Sequence, residues 1–293
     1  GAIKPRQPVM SNVTMTANTK PSMEHSAFFL GSATAPLRSS RAGAAIVLSA
    51  IGALSLAMIA PGTAGKWVLV ALAGLFLMAI VCKAIYATHV ALFALIWVLV
   101  GFLPYFQLWP LYLLVPLAVY GAAVVLTPQL RRSVRWLHTG HFGPDVRPLV
   151  LATVIVSSAA LVTWAALTKP DLQRHLALIP EMPLWIYPLA AMGFASINAA
   201  MEEIVFRGIM MEVLDSALGE TYWSVGTQAV SFAALHYLAG FPSGALGFLM
   251  VLVYGVMLGM VRRRSKGLLA PWVAHMTADI TIFSILAVIL IRA

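Results

Sequence analysis

Three acidic residues lie inside long apolar stretches of this chain: Glu202 and Glu203 near the end of one, and Asp279 in another. Two histidines, His236 and His275, also sit deep in such stretches. Carboxylates and imidazoles are the side chains that hold and deprotonate a water near neutral pH. Mixed His and carboxylate sets also suit zinc. An ionisable group at the centre of a bilayer costs about 2.5–3.5 kcal/mol, so it persists where it faces a polar cavity or another such group.

Spacing sorts these residues into pairs. Glu203 and Arg207 are four apart and share one helix face, so they can form an ion pair. Glu202 is turned about 100° away and is left out of that pair. An interfacial salt bridge accounts for Glu203 and Arg207 but not for the spare glutamate. His236 ends the stretch Phe232-Ala233-Ala234-Leu235-His236. Asp279 follows His275 by four and can accept from its imidazole N–H, fixing tautomer and orientation. A lone intramembrane His reads equally well as a hydrogen-bonding group between helices. His89, His138, His141 and His175 fall at span ends or in loops, where solvated or interfacial roles are expected. Met210, Met211, Met250, Met257 and Met260 read as packing or lipid-facing residues. Gly255 and Gly259 form a small-xxx-small pair, a helix-packing face.

The elements that must position these groups follow from composition. Of 293 residues 61% are hydrophobic and 10% charged, with mean hydropathy +0.90, whereas a soluble domain carries about 25% charged residues. The apolar blocks run to roughly 17–25 residues, the length that crosses about 30 Å of hydrocarbon. The fold class is therefore all-α, a polytopic transmembrane helical bundle. Nine spans are expected, at 43–60, 67–83, 88–104, 109–127, 149–168, 184–207, 222–240, 244–261 and 268–291.

With the N-terminus inside, the basic clusters at Arg131, Arg132 and Arg135 and at Arg262, Arg263, Arg264 and Lys266 fall on the cytoplasmic side. Lys66, Lys169, Arg174 and Arg292 fall outside, as the positive-inside rule requires. The formal net charge of +9 is thus a matter of topology, and no nucleic-acid partner is expected. Residues 1–42 read as a disordered polar tail, with Met10 a candidate natural start. Residues 43–148 form an N-terminal helical part ending in a basic cytoplasmic loop, and 149–293 a C-terminal core. Cys82, the single cysteine, excludes a disulfide framework and a cysteine-based metal site.

Glu202-Glu203-x-x-x-Arg207, Phe232-x-x-x-His236 and His275-x-x-x-Asp279, in that order in three apolar spans, resemble the three motifs of the CPBP family. This family comprises CAAX proteases and bacteriocin-processing enzymes and is also called Abi. The resemblance covers roughly residues 184–291. Asp279 stands where the eukaryotic CAAX-processing branch has Asn, a departure that looks like bacterial, myxosortase-like members.

The resemblance implies a glutamic-type intramembrane protease in a bacterial inner membrane, acting on a membrane-associated protein or peptide. Glu202 assisted by His236 would activate water, and Arg207 would pair with Glu203. His275 would donate to the oxyanion while Asp279 orients it. No cofactor is required in this scheme. Two rivals stay open. One is a zinc site made of Glu202, His236 and His275; the other is a non-enzymatic proton-coupled transporter or scaffold using the same groups as a relay. The span boundaries also leave a mismatch: with the seventh span starting near Tyr222 on the inside, His236 falls about 20 Å deep, while Glu202 and His275 fall within about 10 Å of the cytoplasmic face, at 1.5 Å per residue. A tilted or offset helix, or an interfacial helix over 208–220, would absorb it.

Overall fold

In lipid every backbone N–H and C=O must be satisfied within its own segment, so long apolar blocks fold as helices. The computed structural model describes residues 1, 38–60 and 62–292, and among these it contains helices and no strand. The N-terminal part holds α1 (Arg41–Ile59), α2 (Thr63–Val81), α3 (Ile85–Gly101), α4 (Leu111–Leu126) and the short α5 (Pro128–Ser133). Then come α6 (Arg147–Thr168), the single turn α7 (Gln173–Leu176) and α8 (Tyr187–Glu203). A π-helical segment (Ile204–Met210) joins α8 to α9 (Met211–Leu218). The chain closes with α10 (Tyr222–Ala239), α11 (Gly244–Ser265) and α12 (Leu269–Arg292).

Local chemistry marks the ends. The Ser40 hydroxyl accepts from the Gly43 N–H at 3.1 Å and starts α1, two residues before the expected boundary of the tail. The rest of that tail, residues 2–37, lies outside the described residues. Prolines open α5, α6 and α8, and Lys169 and Lys266 turn left-handed to end α6 and α11.

Each of the nine expected spans falls on a helix. Six helical stretches are long and apolar enough to cross a membrane, and α3 and α4 are apolar but shorter. α10 is more polar because Ser224, Gln228 and Ser231 are buried inside the bundle rather than turned to lipid. The sixth span differs most from expectation. Leu184–Leu218 forms one continuous helical run of 35 residues, about 50 Å long at 1.5 Å per residue. There is thus no separate interfacial helix over 208–220. Glu202 and Glu203 stand near the middle of this run rather than near its end, which removes the boundary on which the depth mismatch with His236 rested.

One core ties the halves of the chain together. Leu54, Phe93 and Tyr120 pack in the same buried cluster as Phe206, Phe232 and Val251. The basic loop between the two parts is docked against the C-terminal core. Leu268 N–H donates to the His138 carbonyl at 3.0 Å, and His141 N–H to that of Ser265 at 2.9 Å. Here Gly140 and Gly267 meet backbone to backbone: a Cβ built on Gly267 would lie 2.1 Å from the Gly140 nitrogen. The Arg135 N–H reaches both Glu212 oxygens at 3.1 Å. Trp136 lies against Gly208, where a Cβ would come within 2.7 Å of the indole. The loop thus clamps the π-helical segment from one side.

The Gly255 and Gly259 face packs as expected. Cβ atoms there would stand 3.0 Å from Ala229 Cβ and 2.8 Å from Val225 Cγ1, so α11 lies close along α10. His89 corrects an expectation. It is buried, with Nδ1 2.6 Å from the Tyr120 hydroxyl and Nε2 2.8 Å from Ser133 Oγ, and it ties α3 to α4 and α5 instead of facing solvent.

Candidate active site

The two glutamates are the last residues of α8, and Arg207 lies in the π-helical segment that follows directly; wide turns of this kind recur at functional sites. Arg207 is 0% exposed. Its Nη1 donates to Glu203 Oε1 at 2.9 Å, the ion pair that their spacing predicts. The guanidinium also lies over the Phe232 ring, 4.4 Å from the centroid, and Nη2 reaches the Gly255 carbonyl at 3.4 Å. Phe232 of the second motif therefore serves as a platform for the cation of the first.

His275 stands between the two glutamates. Its Nδ1 is 2.7 Å from Glu203 Oε1, and its Nε2 is 3.4 Å from Glu202 Oε2, within ion-pair range but without a hydrogen bond's geometry. Asp279 does not take the hydrogen bond that its spacing predicts, since Oδ1 is 3.8 Å from His275 Nε2. Glu203 orients His275, because an intrahelical pair at this spacing places the carboxylate beside the ring edge while a neighbouring helix can meet it head-on. Three carboxylates, one imidazole and one guanidinium are thus gathered from α8, the π segment and α12. Glu202, Glu203, Arg207, His275 and Asp279 are all under 5% exposed.

Sequence reasoning missed the group that links the acids. Asn198 Nδ2 donates to Glu202 Oε1 at 3.3 Å and to Asp279 Oδ2 at 3.1 Å. Its Oδ1 accepts from the indole N–H of Trp109 at 3.1 Å. Because an indole nitrogen only donates, Trp109 settles which end of the Asn198 amide faces the carboxylates. The Tyr112 hydroxyl reaches Glu202 Oε1 at 3.5 Å. Asn198 was legible in principle, four residues before Glu202 on the same face. Trp109, just before α4, and Tyr112, in its first turn, belong to a part with no motif, and no local signal points to them.

His236 lies on α10 with Nδ1 3.0 Å from the Phe232 carbonyl oxygen. A carbonyl only accepts, so Nδ1 carries the proton and Nε2 is left with its lone pair. His236, His275 and Asp279 line one cleft, together with Tyr254, Ser157, Phe241 and Met250. Its empty space, the mouth included, is about 450 Å³. Phe232 separates the two imidazoles, its ring centroid 4.8 Å from that of His236 and 5.7 Å from that of His275. Glu202 is not itself one of the lining residues; its Oε2 faces His275 Nε2, which does line the cleft, at 3.4 Å. Among the described residues no three His, Cys, Asp or Glu side chains are grouped to hold a metal ion.

The Asp279 contacts set a test. Asp279→Asn keeps one oxygen for the Asn198 amide but removes the charge beside His275. That charge stands 3.8 Å from His275 Nε2, so cleavage is expected to fall roughly 10- to 100-fold through the lost charge–imidazole attraction and to remain measurable. Asp279→Ala should fall further, because it also strands an Asn198 donor. An Asn variant with the wild-type kcat/KM would show that the charge of Asp279 is idle.

No curated protein and no solved structure matches the chain. Residues 183–281 match the family model described as Type II CAAX prenyl endopeptidase Rce1-like. The match takes in α8 through most of α12, and with them all three motifs and Asn198; Trp109 and Tyr112 lie outside it. In these residues the chain carries the Rce1-like pattern, consistent with the CPBP family, within an integral membrane protein whose kind of enzyme is a protease.

Proposed function

We propose that this protein is an intramembrane endopeptidase that hydrolyses a peptide bond near the terminus or membrane segment of a membrane-associated protein or peptide. The observation that carries this reading is the convergence of the three motifs on His275, which has a glutamate on each ring nitrogen and faces a cleft shared with His236. Peptide hydrolysis needs a water, an acceptor for its proton and a dry, shaped site. His236 offers a bare Nε2 on a ring lining the cleft. Glu202 offers Oε2, which has no hydrogen-bond partner.

In this scheme water enters from the cleft, is held by the His236 Nε2 lone pair, and loses one proton to Glu202 Oε2 as its oxygen attacks the scissile carbonyl. The proton then passes to the leaving amine. His275, locked by Glu203, and Asp279, held by Asn198, fix the electrostatics of the opposite wall. Phe241, Met250 and Leu161 make that cleft largely apolar, which suits an aliphatic or lipid-modified chain near the cut. The Rce1-like match supports a C-terminal, prenyl-modified substrate.

The test is a comparison of protein termini in membranes from cells carrying wild type and Glu202→Gln. Processed termini present only with wild type support the protease. Unchanged termini, with a loss of solute flux instead, would make the chain a transporter. No metal is required in this scheme, so active purified protein is expected to hold well below one zinc per chain and to keep its activity in chelator. One zinc per chain, with activity lost to chelator and restored by zinc, would move Glu202, His236 and His275 into a metal site.

A further inference from the structure

Hydrolysis of a peptide bond puts negative charge on the carbonyl oxygen, and a site that does this well aims a donor at it in advance. The donors that line the cleft are few, and most are already engaged. His236 spends its Nδ1 proton on the Phe232 carbonyl. His275 spends Nδ1 on Glu203, and its Nε2 is turned to the Glu202 carboxylate at 3.4 Å without a hydrogen bond. The Ser157 hydroxyl donates to the Val154 carbonyl in its own helix. Asn198, just behind, gives its amide protons to Glu202 and Asp279.

Tyr254 is the exception. It lies on α11, which carries none of the three motifs, and it lines the cleft beside His275 and Asp279. Its ring meets the His275 ring edge-on, 5.6 Å between centroids and at 90°. Its hydroxyl is buried and has no hydrogen-bond partner among the described residues. Buried hydroxyls are nearly always paired, and one left unpaired at a site calls for an explanation. Packing does not supply it, because phenylalanine would fill the same space without that cost.

We infer that Tyr254 is a further catalytic residue, whose hydroxyl donates a hydrogen bond to the scissile carbonyl oxygen and holds it as the oxyanion forms. The inference rests on the protease reading above. In the step itself, the water oxygen bonds to the carbonyl carbon and the π pair moves onto the carbonyl oxygen. The water's proton goes to Glu202 Oε2, while His236 Nε2 holds the water in place. The tyrosine keeps its own proton throughout and contributes only the hydrogen bond. When the tetrahedral intermediate collapses, the C–N bond breaks and the amine takes the proton first removed from water. His275 and Asp279 keep the positions that their partners give them, and Tyr254 supplies a donor that no neighbouring carboxylate competes for.

The hydroxyl's lack of partners makes the test sharp. Tyr254→Phe removes one oxygen and strands nothing, so membrane abundance is expected to match wild type. Cleavage should fall about 100-fold, as when one oxyanion donor is lost elsewhere. Termini are compared in membranes carrying wild type, Glu202→Gln and Tyr254→Phe. Then kcat and KM are measured on a synthetic peptide spanning a site so found. Termini lost with both variants, and a Tyr254→Phe kcat down about 100-fold at a KM within twofold, support the inference. Termini lost with Glu202→Gln but retained with Tyr254→Phe, at wild-type kcat, overturn it and leave the protease standing. Termini unchanged in every strain overturn the protease reading and this inference together.

Discussion

Glu202→Gln is expected to abolish detectable cleavage, a loss on the order of 10²–10⁴-fold, while the protein accumulates in the membrane near the wild-type level. The two halves of that expectation come from different oxygens of the same side chain. Oε1 is structural: it accepts from Asn198 Nδ2 at 3.3 Å and from the Tyr112 hydroxyl at 3.5 Å. A glutamine keeps that oxygen. Oε2 has no hydrogen-bond partner and stands 3.4 Å from His275 Nε2, so it is the free acceptor for a proton. A glutamine puts an NH2 there, which can donate towards the imidazole but cannot take a proton. Folding is therefore spared while the base is removed. The measurement is turnover of a membrane-anchored reporter against the amount of variant in the same membranes. Full turnover by Glu202→Gln would end the glutamate's role, and loss of the protein itself would move Glu202 from chemistry to assembly.

How much of this was legible in sequence follows from the range of each signal. Apolar length gave the helices, because a bilayer imposes one length on every span. Residues four apart gave Glu203 with Arg207, which the structure pairs at 2.9 Å. The same rule misled at His275 and Asp279, which stay 3.8 Å apart. Glu203 from another helix meets His275 Nδ1 at 2.7 Å, and a pattern within one helix cannot report a competitor on the next. Boundaries failed at Glu212 and Asp215. Charges among apolar residues suggested a helix lying on the membrane surface, but Glu212 is capped by the Arg135 N–H and Asp215 pairs with Arg263. The run therefore continues unbroken through the π segment. Trp109, Tyr112 and Tyr254 were invisible because ordinary aromatic residues in apolar spans look alike until the fold places them.

Arg207→Ala is expected to cost the protein its place in the membrane before it costs any chemistry. The guanidinium is wholly buried and has three engagements at once: Glu203, the Phe232 ring and the Gly255 carbonyl. Removing it leaves the Glu203 carboxylate without its cation in a low-dielectric interior, where breaking such a pair costs about 3–5 kcal/mol. Against a total stability of about 5–15 kcal/mol, that loss should cut steady-state abundance severalfold. Arg207→Lys keeps the charge but cannot spread over both Glu203 and the aromatic face, so it should fall between Ala and wild type. The pair variant Glu203→Gln with Arg207→Met separates assembly from chemistry, since replacing both charges leaves none unpaired. It should restore much of the abundance. It should not restore cleavage, because the carboxylate that orients His275 through Nδ1 is gone. Abundance by immunoblot and cleavage per unit of protein distinguish these outcomes. If Arg207→Ala accumulates and cleaves like wild type, the buried pair neither holds the helix in register nor sets His275. The water chemistry would then have to be arranged by Asn198 and Asp279 alone.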